Sequence, residues 1–388
     1  MKLLHTSDWH VGRTIRGRSR ADEHRAVLAE IAGVARHHDV DVVLVVGDLF
    51  DSAAPTPEAE QIVFGALLDL ASSGAAVIVL SGNHDNARRL HALRPLLELG
   101  GVAARPEFRG PDDGGVLEVA TRDGRETALV AVVPFLSQRH VVRAADLMAF
   151  DADELTGKYA SRMARFIDLL AGSFRADTVN VVAAHLTTRG GLLGGGERLA
   201  HTVFDYEVPA AAFPSTAHYV ALGHLHRRQQ VPGPAPIHYC GSPLQLDFGE
   251  TSDIKAVVVV EAHPGAPAKI TDVPLSAGRR LRTLVGTPAE LDALAGTTGD
   301  DHLRLKVRTT PLVGLADRLR ERFPHCVDVI VERPDDDDPA VAERPSRRGM
   351  VPGELFAQYL ADAEGEADPT LVELFAELLE VAHASDPA

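Results

Sequence analysis

Residues 82–85 read Gly-Asn-His-Asp, and they follow the apolar run Ala-Ala-Val-Ile-Val-Leu at residues 75–80. Such a run is typical of a buried strand in a parallel sheet. Open α/β sheets bind ligands at the carboxyl ends of their strands, so this tetrapeptide lies where chemistry is expected. Gly82 allows a sharp turn, and the next three residues offer an amide oxygen, an imidazole and a carboxylate.

Four further predicted strands, at residues 2–6, 41–46, 178–184 and 219–222, also end in residues that can bind metal ions. Strand alternation predicts that the two ligands after the first strand share a face, as do the two after the last. Oxygen and imidazole ligands suffice for two ions if one carboxylate bridges them. One such histidine is usually structural, but seven ligands at five strand ends are not expected by chance. The candidate ligands are Asp8, His10, Asp48, Asn83, His185, His224 and His226.

The chain has 388 residues, of which 45% are apolar and 24% charged, so two or more domains with ample core are expected. Apolar runs fall short of the roughly 20 residues that span a bilayer. A strand begins at Lys2, and neither a signal nor a transit peptide is visible. Cys240 and Cys326 are predicted to be core thiols, which favours a reducing cytoplasm.

Charge is unevenly distributed. The net charge is −16, but residues 335–388 hold fourteen acids and three arginines, which leaves −5 for the rest. Arginines cluster after the first ligands and after the central motif, which favours an anionic substrate, because arginine matches phosphate geometry. The candidate contacts to such a substrate are Arg13, Arg16, Arg20, Arg88 and Arg89.

Helical spacing occurs at residues 21–37, 56–72, 88–99, 138–148 and 154–170. A small α+β segment begins near residue 282. An acidic linker follows, and two amphipathic helices close the chain. The second of these helices has an apolar stripe of Leu371, Leu374, Phe375 and Leu378.

Six segments resemble the calcineurin-like metallophosphoesterases, and within them the bacterial nuclease subunits that act with an ATPase. They are HTSDWHVGR (5–13), VGDLFDSAAPTP (46–57), LSGNHDN (80–86), AAHLTTRGG (183–191), ALGHLHRRQ (221–229) and YCGSPLQLDFGE (239–250). The resemblance covers nearly the whole chain. It implies an α/β fold, a four-layer α-β-β-α sandwich. The implied divisions are a nuclease domain at 1–278, a capping domain at 279–333, the acidic linker at 334–350 and a helical ATPase-binding tail at 351–388.

Carried over by position, the resemblance implies two ions, with Mn²⁺ favoured. Asp8, His10, Asp48 and His226 would hold one ion, and Asp48, Asn83, His185 and His224 the other. His84 would then stabilise or protonate the leaving oxygen, work worth roughly 10²–10⁴-fold. Asp85 would orient His84. Asp51 stands where some relatives carry a histidine, and it is given no role.

The implied function is a Mn²⁺-dependent DNA exonuclease and endonuclease of DNA repair, replication and recombination, acting on double-strand ends, single strands and hairpins. Its implied partner is the ATPase, in a heterotetramer built on a homodimer of this chain. Two alternatives stay open at this point. A small-molecule phosphodiesterase or a phosphatase would use the same metal site but would not need the capping domain, linker or tail. A non-catalytic DNA-binding scaffold would be expected to have lost a ligand.

Overall fold

The computed structural model describes residues 1–137, 159–195, 197, 207–310 and 314–332, and short helical stretches between residues 355 and 378. Two compact units are formed. The first comprises Met1–Val307 and Leu312–Ile330, and the second Arg308–Pro311 and Val331–Ala388. The predicted helix at 138–148 and the predicted acidic linker at 334–350 lie outside the described residues.

The strands are β1 (Lys2–Thr6), β2 (Thr14–Ile15), β3 (Arg18–Ser19), β4 (Val42–Val46), β5 (Ala76–Leu80), β6 (Val102–Arg105), β7 (Val116–Ala120), β8 (Thr127–Val133), β9 (Val179–His185), β10 (Thr187–Thr188), β11 (Glu207–Val208), β12 (Tyr219–Gly223), β13 (Gln229–Val231), β14 (Ile237–Tyr239), β15 (Ala256–Glu261), β16 (Lys269–Pro274), β17 (Leu281–Gly286), β18 (His302–Arg308) and β19 (Cys326–Glu332). The helices are α1 (Ala21–His37), α2 (Pro57–Ser72), α3 (Ala87–Leu99), α4 (Tyr159–Ala171), α5 (Pro288–Asp292) and α6 (Leu315–Arg322).

The first sheet has the order β16-β15-β1-β4-β5-β6. Its strands β1, β4, β5 and β6 are parallel neighbours. Strand β15 runs antiparallel to both of its neighbours, β1 and β16. Helices connect the parallel strands, and α2 and α3 begin at capping side chains. Thr56 accepts a hydrogen bond from the Ala59 amide at the start of α2, and Asn86 accepts one from the Arg89 amide at the start of α3. The predicted strand-loop-helix repeat of the first hundred residues is confirmed.

The second sheet has the order β13-β14-β12-β9-β8-β7, and β8, β9, β12 and β14 are parallel. The two sheets pack face to face over an apolar layer to which both contribute. Side chains of this layer include Leu3, Val42, Leu44, Ile78, Val130, Val181 and Ala221.

Helices cover the outer face of each sheet. On the first sheet Val43 and Val45 point away from the inner layer and join a core with Leu28 and Ile31 of α1. On the second sheet Val182 packs in a core with residues of α4. Alternate residues of one strand therefore serve two different cores, which is why these strands are apolar throughout. This is the four-layer α-β-β-α sandwich, and the fold class is confirmed.

A three-stranded sheet, β17-β18-β19, forms the small α+β segment. Thr287 caps α5 in a capping box with Glu290. A separate core of residues such as Leu291, Leu305 and Phe323 lies under α5 and α6. Strands and helices thus occur together in this segment, as predicted. The boundaries proposed for the domains remain a prediction.

In the second unit, short helical stretches occur near residues 355–360 and 369–378, and the rings of Phe356 and Phe375 stack with their centroids 4.3 Å apart. Among the helices of the described residues, none has the length and apolar character needed to cross a membrane.

Candidate metal centre

The seven candidate ligands converge at one end of the sandwich. Asp8, Asp48 and Asn83 follow β1, β4 and β5, three neighbouring parallel strands of the first sheet. His10 also follows β1. The other three histidines come from the second sheet, since His185 ends β9 and His224 and His226 follow its neighbour β12. Because the carboxyl ends of both sheets meet here, residues distant in sequence lie side by side.

The backbone reason for this convergence differs from the predicted one. Strand alternation does not aim the ligands, because β1 ends at Thr6 and β12 at Gly223, before the ligands begin. Instead four ligands adopt left-handed backbone conformations that non-glycine residues rarely adopt. Their φ angles are 54° for Asp8, 46° for His10, 51° for Asp48 and 104° for His224. Several such residues at one place are typical of a functional site whose side chains are held by the surrounding fold.

The first group of ligand atoms lies around His10. Asp8, His10 and His226 are buried, and each offers an atom within 4.8 Å of the others. The Nε2 atoms of His10 and His226 are 3.1 Å apart. His10 Nε2 also lies 3.5 Å from Asp48 Oδ2.

The second group lies around Asn83. Asp48, His185 and His224 are buried and offer atoms within 4.8 Å of one another. Asn83 Oδ1 is 3.1 Å from His185 Nε2 and 2.8 Å from His224 Nδ1. Asp48 Oδ2 is 3.5 Å from His185 Nε2, so one oxygen of Asp48 is equally close to a histidine of each group.

Two glycines let these loops approach closely. A Cβ atom on Gly47, whose φ is 79°, would lie 2.3 Å from His185 Nδ1. One on Gly82 would lie 2.1 Å from Asp48 Oδ1. Any side chain at either position would displace a ligand, and this explains the glycine in the motifs at 46–57 and 80–86.

Backbone groups orient two of the histidines. His185 Nδ1 lies 2.9 Å from the Val46 carbonyl, which accepts its proton and leaves Nε2 to face Asp48. His84 Nδ1 lies 2.8 Å from the Asp51 carbonyl in the same way. The backbone amide of His84 donates to Asp48 Oδ1 at 2.8 Å.

Asp85 has a different role from the predicted one. Its carboxylate accepts hydrogen bonds from the amides of Leu49, Phe50 and Gly82 at 2.9–3.2 Å. Asp85 therefore joins the loop after β4 to the loop after β5, and the contact that orients the His84 ring comes from Asp51.

Burial favours the neutral form of each buried ligand, whereas a neighbouring group of opposite charge favours the ionised form, and the two effects shift the pKa in opposite directions. Burial raises the pKa of Asp8 to about 6 and lowers the pKa of His10 to about 4. Burial opposes ionisation of Asp48, but His185 outweighs it and holds the pKa of Asp48 well below its usual value. Burial likewise opposes a charge on His185, but Asp48 raises the pKa of His185 to about 9. Asp48 is thus the anionic centre of the site, and His10 is neutral near pH 7 with a lone pair to donate.

Sequence reasoning missed the residues that support His226. Its Nδ1 lies 3.3 Å from Glu250 Oε1, and its amide donates to Glu197 Oε1 at 3.0 Å. Lys255 Nζ donates to Glu250 Oε2 at 2.7 Å. Burial would raise the pKa of Glu250, but hydrogen bonding to His226 and the charge of Lys255 lower the pKa of Glu250 to about 2. The only sequence signal was that Glu250 ends the segment YCGSPLQLDFGE at 239–250.

Asp51 lies beside His10, another ligand of the first group. Its Oδ1 lies 3.4 Å from His10 Nδ1 and 3.1 Å from the Arg13 guanidinium, while its carbonyl contacts His84. No role was predicted for this residue.

The predicted arginine contacts divide into two kinds. Arg20 is buried, and its guanidinium donates to Glu23 and to the Gln245 carbonyl. The prediction that Arg20 contacts DNA is therefore wrong, because the side chain holds the start of α1 to the loop between β14 and β15. Arg16 is exposed and pairs with Asp328 at 3.1 Å.

The remaining candidates lie at the surface or near it. Arg13 is half-buried beside Asp51, and Arg88 and Arg89 are exposed at the start of α3. Arg89 pairs with Glu60 at 2.7 Å. These side chains remain candidates for phosphate contacts.

The donor set fits divalent metal ions. Carboxylate, amide and imidazole atoms converge from several sides in two groups, and Asp48 Oδ2 lies 3.5 Å from a histidine of each. Neither group contains a thiolate. A buried carboxylate among converging imidazole nitrogens is the environment that a cation satisfies. A third group of His10, Asp48 and His84 also has atoms within 4.8 Å, so His84 borders the same space.

Comparison with known proteins defines the class. The sequence profile of the family described as calcineurin-like phosphoesterase matches residues 1–228. Three curated proteins, each named as the SbcD subunit of the nuclease SbcCD, are similar over most of the chain. The one from Bacillus subtilis is 33% identical and covers 72% of this chain and 71% of its own length. The one from Rhodobacter capsulatus is 32% identical, with 92% and 94% covered, and the one from Escherichia coli is 30% identical, with 76% and 73% covered.

The chain therefore belongs to the calcineurin-like phosphoesterase family and, within it, to the nucleases of the SbcD type. It is a two-metal phosphodiesterase. Divalent metal ions are its cofactors.

Proposed function

We propose that this chain is a Mn²⁺-dependent DNA nuclease that acts with the SbcC ATPase in the cytoplasm. It cleaves double-strand ends as an exonuclease, and single strands and hairpins as an endonuclease, in DNA repair, replication and recombination. The assembly is a heterotetramer built on a homodimer of this chain. The observation that carries the proposal is the pair of buried ligand groups with Asp48 Oδ2 between them, 3.5 Å from a histidine of each.

One ion would be held by Asp8, His10, Asp48 and His226, and the other by Asp48, Asn83, His185 and His224. When bound, the ions neutralise charge on the phosphate and lower the pKa of the attacking water. His185 presents Nε2 because the Val46 carbonyl holds its Nδ1 proton. The Asp51 carbonyl likewise accepts the Nδ1 proton of His84, so the imidazolium form of the ring can give its Nε2 proton to the leaving oxygen.

A nuclease assay tests the proposal. The metal-depleted chain is given a DNA hairpin and a linear duplex, with and without Mn²⁺, and also a small aryl phosphodiester. We expect Mn²⁺ to restore cleavage of both DNA substrates. Turnover of the small ester with no cleavage of DNA, alone or with the ATPase, would favour the small-molecule phosphodiesterase instead.

His84→Ala is expected to lower turnover by roughly 10²–10⁴-fold, because the proton donor to the leaving group is removed. Both ions should stay bound, since the proposed ligands are intact. Turnover and metal content per chain are measured together. His91→Ala is the matched control, because His91 is a partly exposed histidine of α3 whose Nδ1 lies 3.0 Å from Glu107. Loss of a metal ion in the His84 variant would make His84 a ligand.

Replacing Arg13 and Arg88 by glutamine is expected to weaken DNA binding and reduce its salt dependence. Removal of one phosphate contact should lower the slope of log K against log[salt] by about 0.9 for duplex DNA, since fewer counterions are released. Binding is measured between low and moderate salt without Mn²⁺. Arg175→Gln is the control, because Arg175 is an exposed arginine paired with Glu118. An unchanged slope would assign the two arginines to the solvated surface.

A further inference from the structure

Glu250 is a fully buried acid that the proposed chemistry does not use. It ends the short 3-10 turn Phe248–Glu250, and both of its carboxylate oxygens are engaged. Oε1 lies 3.3 Å from His226 Nδ1, and Oε2 accepts from Lys255 Nζ at 2.7 Å and from the Leu246 amide at 3.0 Å. A buried carboxylate is costly unless it is paired and hydrogen-bonded, as this one is.

Lys255 reaches His226 from a second direction. Its ammonium donates to the His226 carbonyl at 2.9 Å and to Ser242 Oγ at 3.0 Å, in addition to Glu250. Ring and backbone of His226 are therefore held by one buried ion pair. Glu197 fixes the amide of the same residue.

Two other histidines of the site are held differently. His185 is oriented by the neutral Val46 carbonyl, whereas His10 Nδ1 lies 3.4 Å from Asp51, a partly exposed carboxylate that also pairs with Arg13. A carboxylate that accepts the second ring proton of a metal-binding histidine fixes its tautomer and makes its other nitrogen a better ligand. His226, by contrast, is contacted by Glu250, a buried carboxylate that Lys255 holds in place.

We propose that Glu250 is a positioning residue for the metal ion held with His226, and that Lys255 keeps Glu250 in place for this task. Glu250 accepts the Nδ1 proton of His226, so Nε2 is the nitrogen that faces His10 and the site. The inference rests on the proposed two-ion function and adds a determinant of metal affinity outside the ligands themselves.

The test separates this task from a general contribution to folding. Glu250→Gln alone would leave the Lys255 ammonium buried and unpaired. The double variant Glu250→Gln/Lys255→Met removes both charges with little change of volume, so the fold is spared an isolated charge. The control is Glu261→Gln/Lys269→Met, which removes an exposed pair of the same types, 2.9 Å apart, at the β15–β16 edge.

Metal-depleted full-length proteins are titrated with Mn²⁺ by calorimetry, and unfolding is followed by circular dichroism without metal. Wild type and control should bind two ions. The Glu250/Lys255 variant should unfold as wild type does, keep one ion at wild-type affinity and bind the other about 10–100-fold more weakly. Two ions bound with wild-type affinity would overturn the inference. A wild-type chain that binds fewer than two ions would refute the proposed function instead.

If the double variant is not folded, Glu250→Asp provides the second measurement. It keeps the charge that Lys255 needs but draws the carboxylate back from His226 by one methylene. We expect the same selective loss of affinity for one ion. Unchanged affinity in this variant would contradict the inference as clearly.

Discussion

Asp48→Ala is expected to abolish nuclease activity, with a loss greater than the roughly 100-fold that follows removal of a residue that only supports a ligand. The reason is its central position. One oxygen lies 3.5 Å from a histidine of each group, and the other accepts the His84 amide at 2.8 Å. Removing the carboxylate takes a ligand from both ions and frees the backbone of His84.

The Asp48 variant should remain folded. Asp48 raises the pKa of His185, and without it burial favours the neutral ring, so His185 sheds its proton and no unpaired charge remains. Asn83 and the Val46 carbonyl still contact the His185 ring. Thermal unfolding of the metal-free protein checks this point.

Elemental analysis after dialysis, together with the hairpin assay, measures the two effects. We expect fewer than two ions per chain and no detectable cleavage. Asp69→Ala serves as the control, because Asp69 is a partly exposed acid of α2 that pairs with Arg36 of α1. Two ions retained by the Asp48 variant would remove the bridging assignment.

Much of this site could be predicted from strand ends alone. Apolar runs mark the parallel strands, and in such sheets the residue after the run lies at the ligand-binding edge. Asp48 and Asn83 were placed by this reasoning, and the geometry agrees. Strand ends also predicted that Asp8 and His224 converge. The direction of their side chains was attributed to strand alternation, which is wrong because alternation requires extended backbone and both residues have a positive φ.

Contacts between distant segments could not be predicted in the same way. Arg20 belongs to an arginine-rich stretch that suggests phosphate binding, yet it is buried against the carbonyl of Gln245, 225 positions later in the chain. Glu250 and Lys255 look like ordinary polar residues of a loop until the fold places them beneath His226. A pattern in the sequence indicates which face a residue occupies, and only the packed chain decides what that residue meets.

The tail is the other place where a large effect is expected. Leu371, Leu374 and Leu378 are exposed leucines at helical spacing, 40–58% accessible to solvent. Phe375, predicted to belong to the same stripe, stacks instead on Phe356 of the preceding helical stretch. Two short helical stretches joined by this ring contact leave an apolar edge of leucines, and isolated helices of this length are marginal in water.

An apolar edge of this kind fits helix-in-groove recognition, in which residues at i, i+3 and i+7 anchor on a partner. Under the proposed function the partner is the ATPase. The alternative is that these leucines pack on the nuclease chain itself. Docking on the ATPase and packing on the nuclease chain predict different results. Only docking on the ATPase makes the tail dispensable for the isolated chain and essential for the complex.

Truncation after Arg348 is therefore expected to leave the fold and Mn²⁺-dependent nuclease activity intact while co-purification with the ATPase is abolished. Leu374→Asp/Leu378→Asp should act similarly, because burying two carboxylates in an apolar groove costs several kcal/mol. Leu96→Asp/Leu99→Asp on α3 is the matched control, since those leucines are 66% and 86% exposed on the nuclease body. Pull-down at equal concentrations and thermal unfolding are measured for all variants. A truncated chain that still captured the ATPase at wild-type affinity would exclude the tail as the docking element. Truncation that destabilised the nuclease itself would instead favour packing on its own chain.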